Sequence, residues 1–335
     1  MNSVRIAFFD IAKFIAMMMV ILGHFGVPDI NRFVFTFHIP LFFLISGYFF
    51  KPYEKTFSLL KIKARQLLIP YLSVMFAVIF IYICQNFLDG YSAKNTLMGV
   101  MNYFIGYLYG SGYIDDILGQ HIEIVGPIWF CLALFWDFIL LNYFLKTKHP
   151  FVGILLCFTV GYVSSFFIWL PLSIQSALTS LLFFYLGYQS KIHDVFNKSI
   201  HVSRILPLLC IWGIGLSYGS QFLIVQNFAV SLVSDVIVAL AACYLVLLYC
   251  QWLEHNVKSA KIMAFLGRYT IVMLCFHSID VNIMPWNEYF KTPNTTNIVI
   301  LIKILITFIK FLFPIFGALV VAKSSLLRKF FALKN

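Results

Sequence analysis

Ten apolar runs dominate the chain, near residues 7–27, 34–50, 67–88, 126–146, 150–168, 172–190, 204–220, 231–252, 262–282 and 296–322. A bilayer core of ~30 Å needs about 20 apolar residues at ~1.5 Å rise each, and backbone in lipid must bond within its own segment. These runs restrict the chain to an all-α fold, a polytopic integral membrane helical bundle with about ten transmembrane helices. The pair 150–168 and 172–190, separated by the sequence WLPLS, also fits a re-entrant pair. Hydrophobic residues make up 61% and charged residues 11% of the chain, which excludes a soluble globular protein. No repeat, heptad or low-complexity linker divides it, so residues 1–335 read as a single transmembrane domain. The first run lacks a small-residue cleavage pattern and contains Asp10 and Lys13, so it reads as part of the mature protein.

The net charge of +11 at first suggests a nucleic-acid partner. The basic residues instead fall at alternate loops, which reads as topology and argues against nucleic acid. The segment KPYEKTFSLLKIKAR holds Lys51, Lys55, Lys61, Lys63 and Arg65 against Glu54. Matching loops hold Lys146 and Lys148; Lys191, Lys198 and Arg204; and Lys258, Lys261 and Arg268; the tail adds Lys323, Arg328, Lys329 and Lys334. Opposite loops hold Asp29, Asp89, Asp115, Asp116, Glu123, Asp280 and Glu288 against Arg32, Lys94 and Lys291. The positive-inside rule then predicts a multi-pass cytoplasmic-membrane protein with both termini cytoplasmic. The acidic segment 89–125 contains LMGVMNYFIGYLYG, too short to span and rich in Tyr and Phe, which suits an interfacial piece or a cap on the outer mouth. Seven cysteines, all in apolar stretches without C-x-x-C spacing, read as buried free thiols, and no metal is expected.

Within the first two runs, on either side of VPDINR, stand Asp10, Lys13, His24, His38 and Ser46, residues that a lipid-facing helix avoids. Lys13 and His24 are 11 residues apart, and at 100° per residue they differ by only about 20° around an α-helix, so they share a face. Along the axis they stand roughly 16 Å apart. Asp10 lies on the same stripe, three residues before Lys13. A short reversal after the first helix would bring His38 to the depth of His24.

The pattern D-x-x-K-x10-H followed by FHIPLFFLISGY resembles the amino-terminal signature of the membrane acyltransferase 3 family, and Lys13 in place of arginine most resembles its fucose 4-O-acetylase-like branch. The stretches GPIWFCLALF at 126–135, FFYLGY at 183–188 and FLGRYTIVMLCFHSI at 265–279 resemble later landmarks in the same order. The resemblance implies a membrane O-acyltransferase that moves an acyl group, most often acetyl, from cytoplasmic acyl-CoA (acetyl-CoA above all) to a hydroxyl of a cell-surface polysaccharide or lipid-linked sugar. His24 is then the candidate general base, because an imidazole with a pKa near neutrality can take the hydroxyl proton. Its alternative is a helix-packing histidine. The family pattern implies that Lys13 contacts the acyl-CoA, while Asp10 and Lys13 also read as a pair that lowers the cost of burying both. Lys63, Arg65 and Arg268 are candidates for the phosphates of coenzyme A, with topology anchoring as the alternative for the lysines. The segment KIKAR lacks the paired arginines common in that family. His38, Ser46, Trp129 and His277 are candidates for the acceptor side; Trp129 also reads as an interfacial anchor and Gly187 as a close helix contact.

Asp137, Asp235, Lys303 and Lys310 also lie in or near apolar runs, and pairing among them is the expected explanation. The rival function is a polytopic transporter or flippase for a glycan or lipid-linked precursor, weakened by the absence of an internal repeat. A non-catalytic assembly subunit is a third reading. Lipid and, for some readings, a second copy of the chain are the remaining partners.

Overall fold

The computed structural model describes residues 6–113, 116–117, 119–196, 202–284 and 297–333. Each apolar run coincides with helix. In chain order the helices are α1 (Ala7–Gly23), α2 (Pro28–Val34), α3 (His38–Tyr48), α4 (Thr56–Lys63), α5 (Ile69–Leu88), α6 (Ala93–Tyr109), α7 (Trp129–Phe144) and α8 (Pro150–Ser164). They continue with α9 (Ile174–Ile192), α10 (Val202–Tyr218), α11 (Leu232–Asn256), α12 (Ala260–Gly267), α13 (Thr270–Ile283), α14 (Asn297–Lys323) and α15 (Ser325–Phe330). Sheet is confined, among the described residues, to two antiparallel hairpins: β1 (Asp116–Ile117) with β2 (Gln120–His121), and β3 (Phe222–Leu223) with β4 (Phe228–Ala229).

Five stretches are long and apolar enough to cross a membrane: Pro28–Tyr48, Thr56–Leu88, Gly126–Phe144, Leu232–Asn256 and Leu301–Lys323; α12 and α13 make six if that bent pair is one span. Pro150–Ser164 and Ile205–Tyr218 are apolar but shorter. The structure is therefore an all-helical membrane protein with five to six candidate spans among the described residues, and the larger count of about ten rests on the sequence alone.

Two boundaries differ from expectation. VPDINR is the start of a helix and not a connection: Pro28 sits at its first position, where a missing N–H costs nothing, and Asp29 lies in the first turn, where the dipole favours an anion. The basic segment before the third run is helical from Thr56 and enters α5 through a π-helical turn, Ala64–Leu68. Pro70 supplies the reason, since its ring would collide with the carbonyl four residues back in a regular α-helix. Asp115, Lys198, Glu288, Lys291 and Lys334, used above for topology, and the side chain of Arg204 lie outside the described residues.

The chain forms two compact units. The first comprises Met1–Lys51, Leu182–Ile224 and Phe228–Ile271. Its core joins Phe9, Ile11, Ala12 and Ala16 of α1 to Leu41 and Ile45 of α3 and to Ala242, Cys243 and Leu247 of α11. The small residues matter, because in lipid helices associate by close packing and not by escape from water. Glycines carry this furthest. A Cβ on Gly47 would stand 1.8 Å from the Phe184 carbonyl oxygen, and one on Gly187 would stand 1.9 Å from that of Leu44, so α3 and α9 touch backbone to backbone at two points. Gly187 is thus the close contact that its place in the sequence suggested. Gly267 meets α1 in the same way, 1.8 Å from the Asp10 carbonyl oxygen. Glu254 of α11 accepts from the Phe8 backbone N–H at 3.1 Å, so a distant carboxylate caps an α1 whose own N-cap residue, Ile6, offers no acceptor.

The second unit comprises Pro52–Leu181, Val225–Asn227 and Val272–Asn335. Tyr71 of α5 donates to the Tyr107 carbonyl of α6 at 2.6 Å, and the Tyr53 N–H donates to Asn142 of α7 at 2.8 Å. Buried acids in the structure are satisfied differently from the expected acid–base pairing. Asp137, fully buried in the second unit, accepts from Ser180 at 2.8 Å; Asp235, in the first, accepts from Ser220 at 2.7 Å, Tyr218 at 3.2 Å and the Ser231 N–H at 2.8 Å. Lys310 pairs instead with Asp280 of α13, at 3.6 Å. Hydroxyls and a helix N-terminus do for the first two carboxylates what a lysine was expected to do.

Candidate active site

The polar residues of the first two runs gather in the first unit. On α1, Asp10 lies in the first turn, where the helix dipole already favours a carboxylate, and Lys13 Nζ meets Asp10 Oδ1 at 2.6 Å. The two differ in access: the Asp10 side chain is 7% exposed and that of Lys13 26%. Lys13 is thus anchored at one side and open at another.

α1 ends one residue before His24, which caps it, so the stripe that starts at Asp10 finishes on the last turn of the helix. His24 Nδ1 lies 2.8 Å from the Val20 carbonyl oxygen, and His38 Nδ1 lies 2.7 Å from that of Val34. A carbonyl only accepts, so in both neutral rings Nδ1 carries the proton and Nε2 is the basic nitrogen. His24 is partly exposed, and His38 is buried at 6%.

The break between α2 and α3 sets where His38 points, and it is held by residues that the sequence did not single out. Phe35 packs its ring against Gly23, whose absent side chain leaves the room, and lies 5.3 Å from the His38 ring. Thr36 donates to the Phe33 carbonyl at 2.7 Å and accepts from Trp212 Nε1 of α10 at 3.0 Å. The Cys243 thiol of α11 lies 3.5 Å from the Phe37 carbonyl oxygen, and Arg32 of α2 donates to the Ser217 carbonyl. Trp212 and Cys243 carry no motif in the sequence, so only their contacts reveal them. Ser46 is half-buried beside the Gly47 contact, and Arg268 is exposed just after α12.

The remaining candidates lie in the second unit. Lys63 donates to Gln66 at 3.1 Å and places its ammonium 3.5 Å from the centre of the Phe138 ring, so it has partners within the protein. Arg65 is exposed in the π-helical turn and donates to the Lys329 carbonyl at 3.3 Å. Trp129 is buried against Gly112, where a Cβ would lie 2.5 Å from the indole. His277 is completely buried on α13, next to Ser278.

A family model described as an acyltransferase domain, that of the acyltransferase 3 family, matches residues 6–323. The chain belongs to the acyltransferase 3 family. Asp10, Lys13, His24 and His38 therefore sit in the chain of a membrane acyltransferase, as do the apolar spans around them. The match confirms the family and not the fucose 4-O-acetylase-like branch. No curated protein and no solved structure matches the chain.

Proposed function

We propose that this acyltransferase moves an acyl group, most simply acetyl, from cytoplasmic acyl-CoA to a hydroxyl of a surface carbohydrate or lipid-linked sugar, with His24 as general base. The observation that carries the reading is the anchored His24 ring. Its Nδ1–H is committed to the Val20 carbonyl, which orients Nε2 as the proton acceptor, on the helix that also presents Lys13. Nε2 takes the acceptor hydroxyl proton as that oxygen attacks the thioester carbonyl. The C–S bond then breaks, and the leaving thiolate takes the proton back from the imidazolium, so atoms and charge balance.

Lys13 is the cation nearest this ring along α1, and as a point charge it suits the donor's phosphates or developing negative charge less directionally than an arginine would. Arg65, exposed and at the basic end of its span, offers a charge-assisted contact to the nucleotide end of the donor. His38 orients the acceptor or His24, and Ser46, Trp129 and His277 serve the acceptor side. Coenzyme A is held in the cytoplasm, and the loop charges put the basic ends there and His24 towards the other side.

The test is transfer from labelled acetyl-CoA by purified protein in liposomes. His24→Ala should lower transfer by ~10²–10⁴-fold while donor binding is kept. Near-normal turnover in that variant would remove His24 as the base, and loss of donor binding would make it a wall of the donor path.

A further inference from the structure

Where α5 turns into α6, within the second unit, the surface holds a cleft of about 630 Å³ that no step above uses. Its lining joins the phenols Tyr82 and Tyr91 to the amides of Gln85, Asn86 and Asn95 and the carboxylate of Asp89, with Leu88 as its one aliphatic side chain. The volume falls within the ~300–1,000 Å³ of small-molecule sites. The chemistry narrows the occupant. Without Lys or Arg in the lining, the cleft lacks what phosphate and coenzyme A require, and with one aliphatic residue it suits no acyl chain. Aromatic faces with amides and a carboxylate are what a neutral polyhydroxylated ring needs, since its C–H face lies on a phenol and its hydroxyls donate and accept at fixed spacing.

The turn is built to hold these groups still. Gly90, at φ +73°, follows the end of α5, its N–H bonds the Phe87 carbonyl at 3.3 Å, and the Tyr91 N–H bonds the Asn86 carbonyl at 3.0 Å. That is the paired closure of a left-handed helix terminus. Ser92 then caps α6 by accepting from the Asn95 N–H at 3.3 Å. Tyr91 is thus fixed in its backbone on both sides while its side chain stays 60% exposed. Tyr82 is wedged under α6: its ring lies 5.0 Å from that of Tyr103, and its hydroxyl occupies the space a Cβ on Gly99 would need, 2.0 Å away. Burial pushes the Tyr103 hydroxyl up to about 12. Asn86 Nδ2 bonds the Tyr82 carbonyl at 3.0 Å, which leaves Oδ1 as the acceptor it can offer.

We propose that this cleft is a carbohydrate site that takes one or two pyranose rings, the glycan end of the acceptor. It rests on the reading of the acceptor as a sugar and deepens it, placing glycan recognition on a preformed turn.

The experiment uses the full chain in detergent and measures binding of the methyl glycosides of glucose, galactose and fucose, with glycerol and phosphocholine as controls. At least one glycoside should bind while both controls do not. The double variant Tyr91→Ala, Asn95→Ala should weaken that binding tenfold or more at an unchanged melting temperature, because the exposed side chains are removed and the turn's backbone bonds are kept. Glycoside binding that survives in the double variant, or no glycoside binding to the natural protein, overturns the proposal, as does equal binding of phosphocholine, which would make the turn a lipid-headgroup contact. Transfer from labelled acetyl-CoA is followed on the same samples: binding without transfer breaks the proposed function and spares the cleft, and transfer without variant-sensitive binding does the reverse.

Discussion

Two acid–lysine pairs, one in each unit, show how differently the same chemistry can be used. Asp10 and Lys13 sit one helical turn apart at 2.6 Å, with the lysine side chain 26% exposed. Asp280 and Lys310, 30 residues apart on two different helices, meet at 3.6 Å and bury the lysine to 1%. The first pair forms whenever α1 forms, and its cation keeps an open side. The second forms only when α13 and α14 pack, and in a low-dielectric interior each charge depends on the other. A local, half-open pair leaves its cation accessible, as the proposed donor contact needs; a buried, tertiary one ties two helices together.

This contrast is sharpest at Lys310. Lys310→Ala removes the lysine of a buried ion pair, and breaking such a pair costs ~3–5 kcal/mol; thermal unfolding in detergent should show a large fall. Lys310→Met combined with Asp280→Leu should recover most of it, since an apolar pair needs no compensation. If the single variant melts normally, the second unit does not depend on this pair.

A smaller loss is expected from Gly47→Ala, which forces a methyl group to within 1.8 Å of the Phe184 carbonyl oxygen and must push α3 from α9. Overpacking of this kind costs ~1–3 kcal/mol. Because His38 opens the same helix, transfer should fall along with stability; a stable Gly47→Ala protein with full activity would show that the α3–α9 approach does not position the site.

The smallest stability change belongs to Lys13→Ala. A local i, i+3 pair contributes ~0.2–0.5 kcal/mol, so the melting temperature should barely move. The half-saturating acetyl-CoA concentration should instead rise several-fold. A large stability loss with unchanged donor use would give Lys13 the role assigned here to Lys310 and erase the difference between the units. Arg65→Ala tests the donor side independently, because Arg65 is exposed and donates to a backbone carbonyl, that of Lys329: donor affinity should weaken while acceptor use and stability hold. Unchanged donor affinity would leave Arg65 a topology anchor.

Much of the candidate site could be read before any tertiary contact was known. Asp10, Lys13 and His24 fall on one stripe because helix geometry alone relates residues three and eleven apart, and the structure keeps them on or at the end of α1. Trp129 could not be read so: its burial against Gly112, 17 residues away, is a tertiary contact that no local pattern foretells. Lys63 is a similar case, since its neighbour Phe138 lies on α7.

Apolar length and the period of the α-helix were enough to establish that the chain is helical and membrane-bound, and that an acid, a lysine and a histidine share one helical face; these depend only on neighbours within a few turns. Packing settled the rest. It ended α1 at His24, broke the second run at Phe35–Phe37, where Trp212 and Cys243 bond Thr36 and the Phe37 carbonyl, gave Lys310 to Asp280, and satisfied Asp137 and Asp235 with hydroxyls. Those outcomes turn on which distant backbones approach closely enough to share an atom's width of space, and glycines such as Gly47, Gly187 and Gly267 set that distance only when their partner helices are in place.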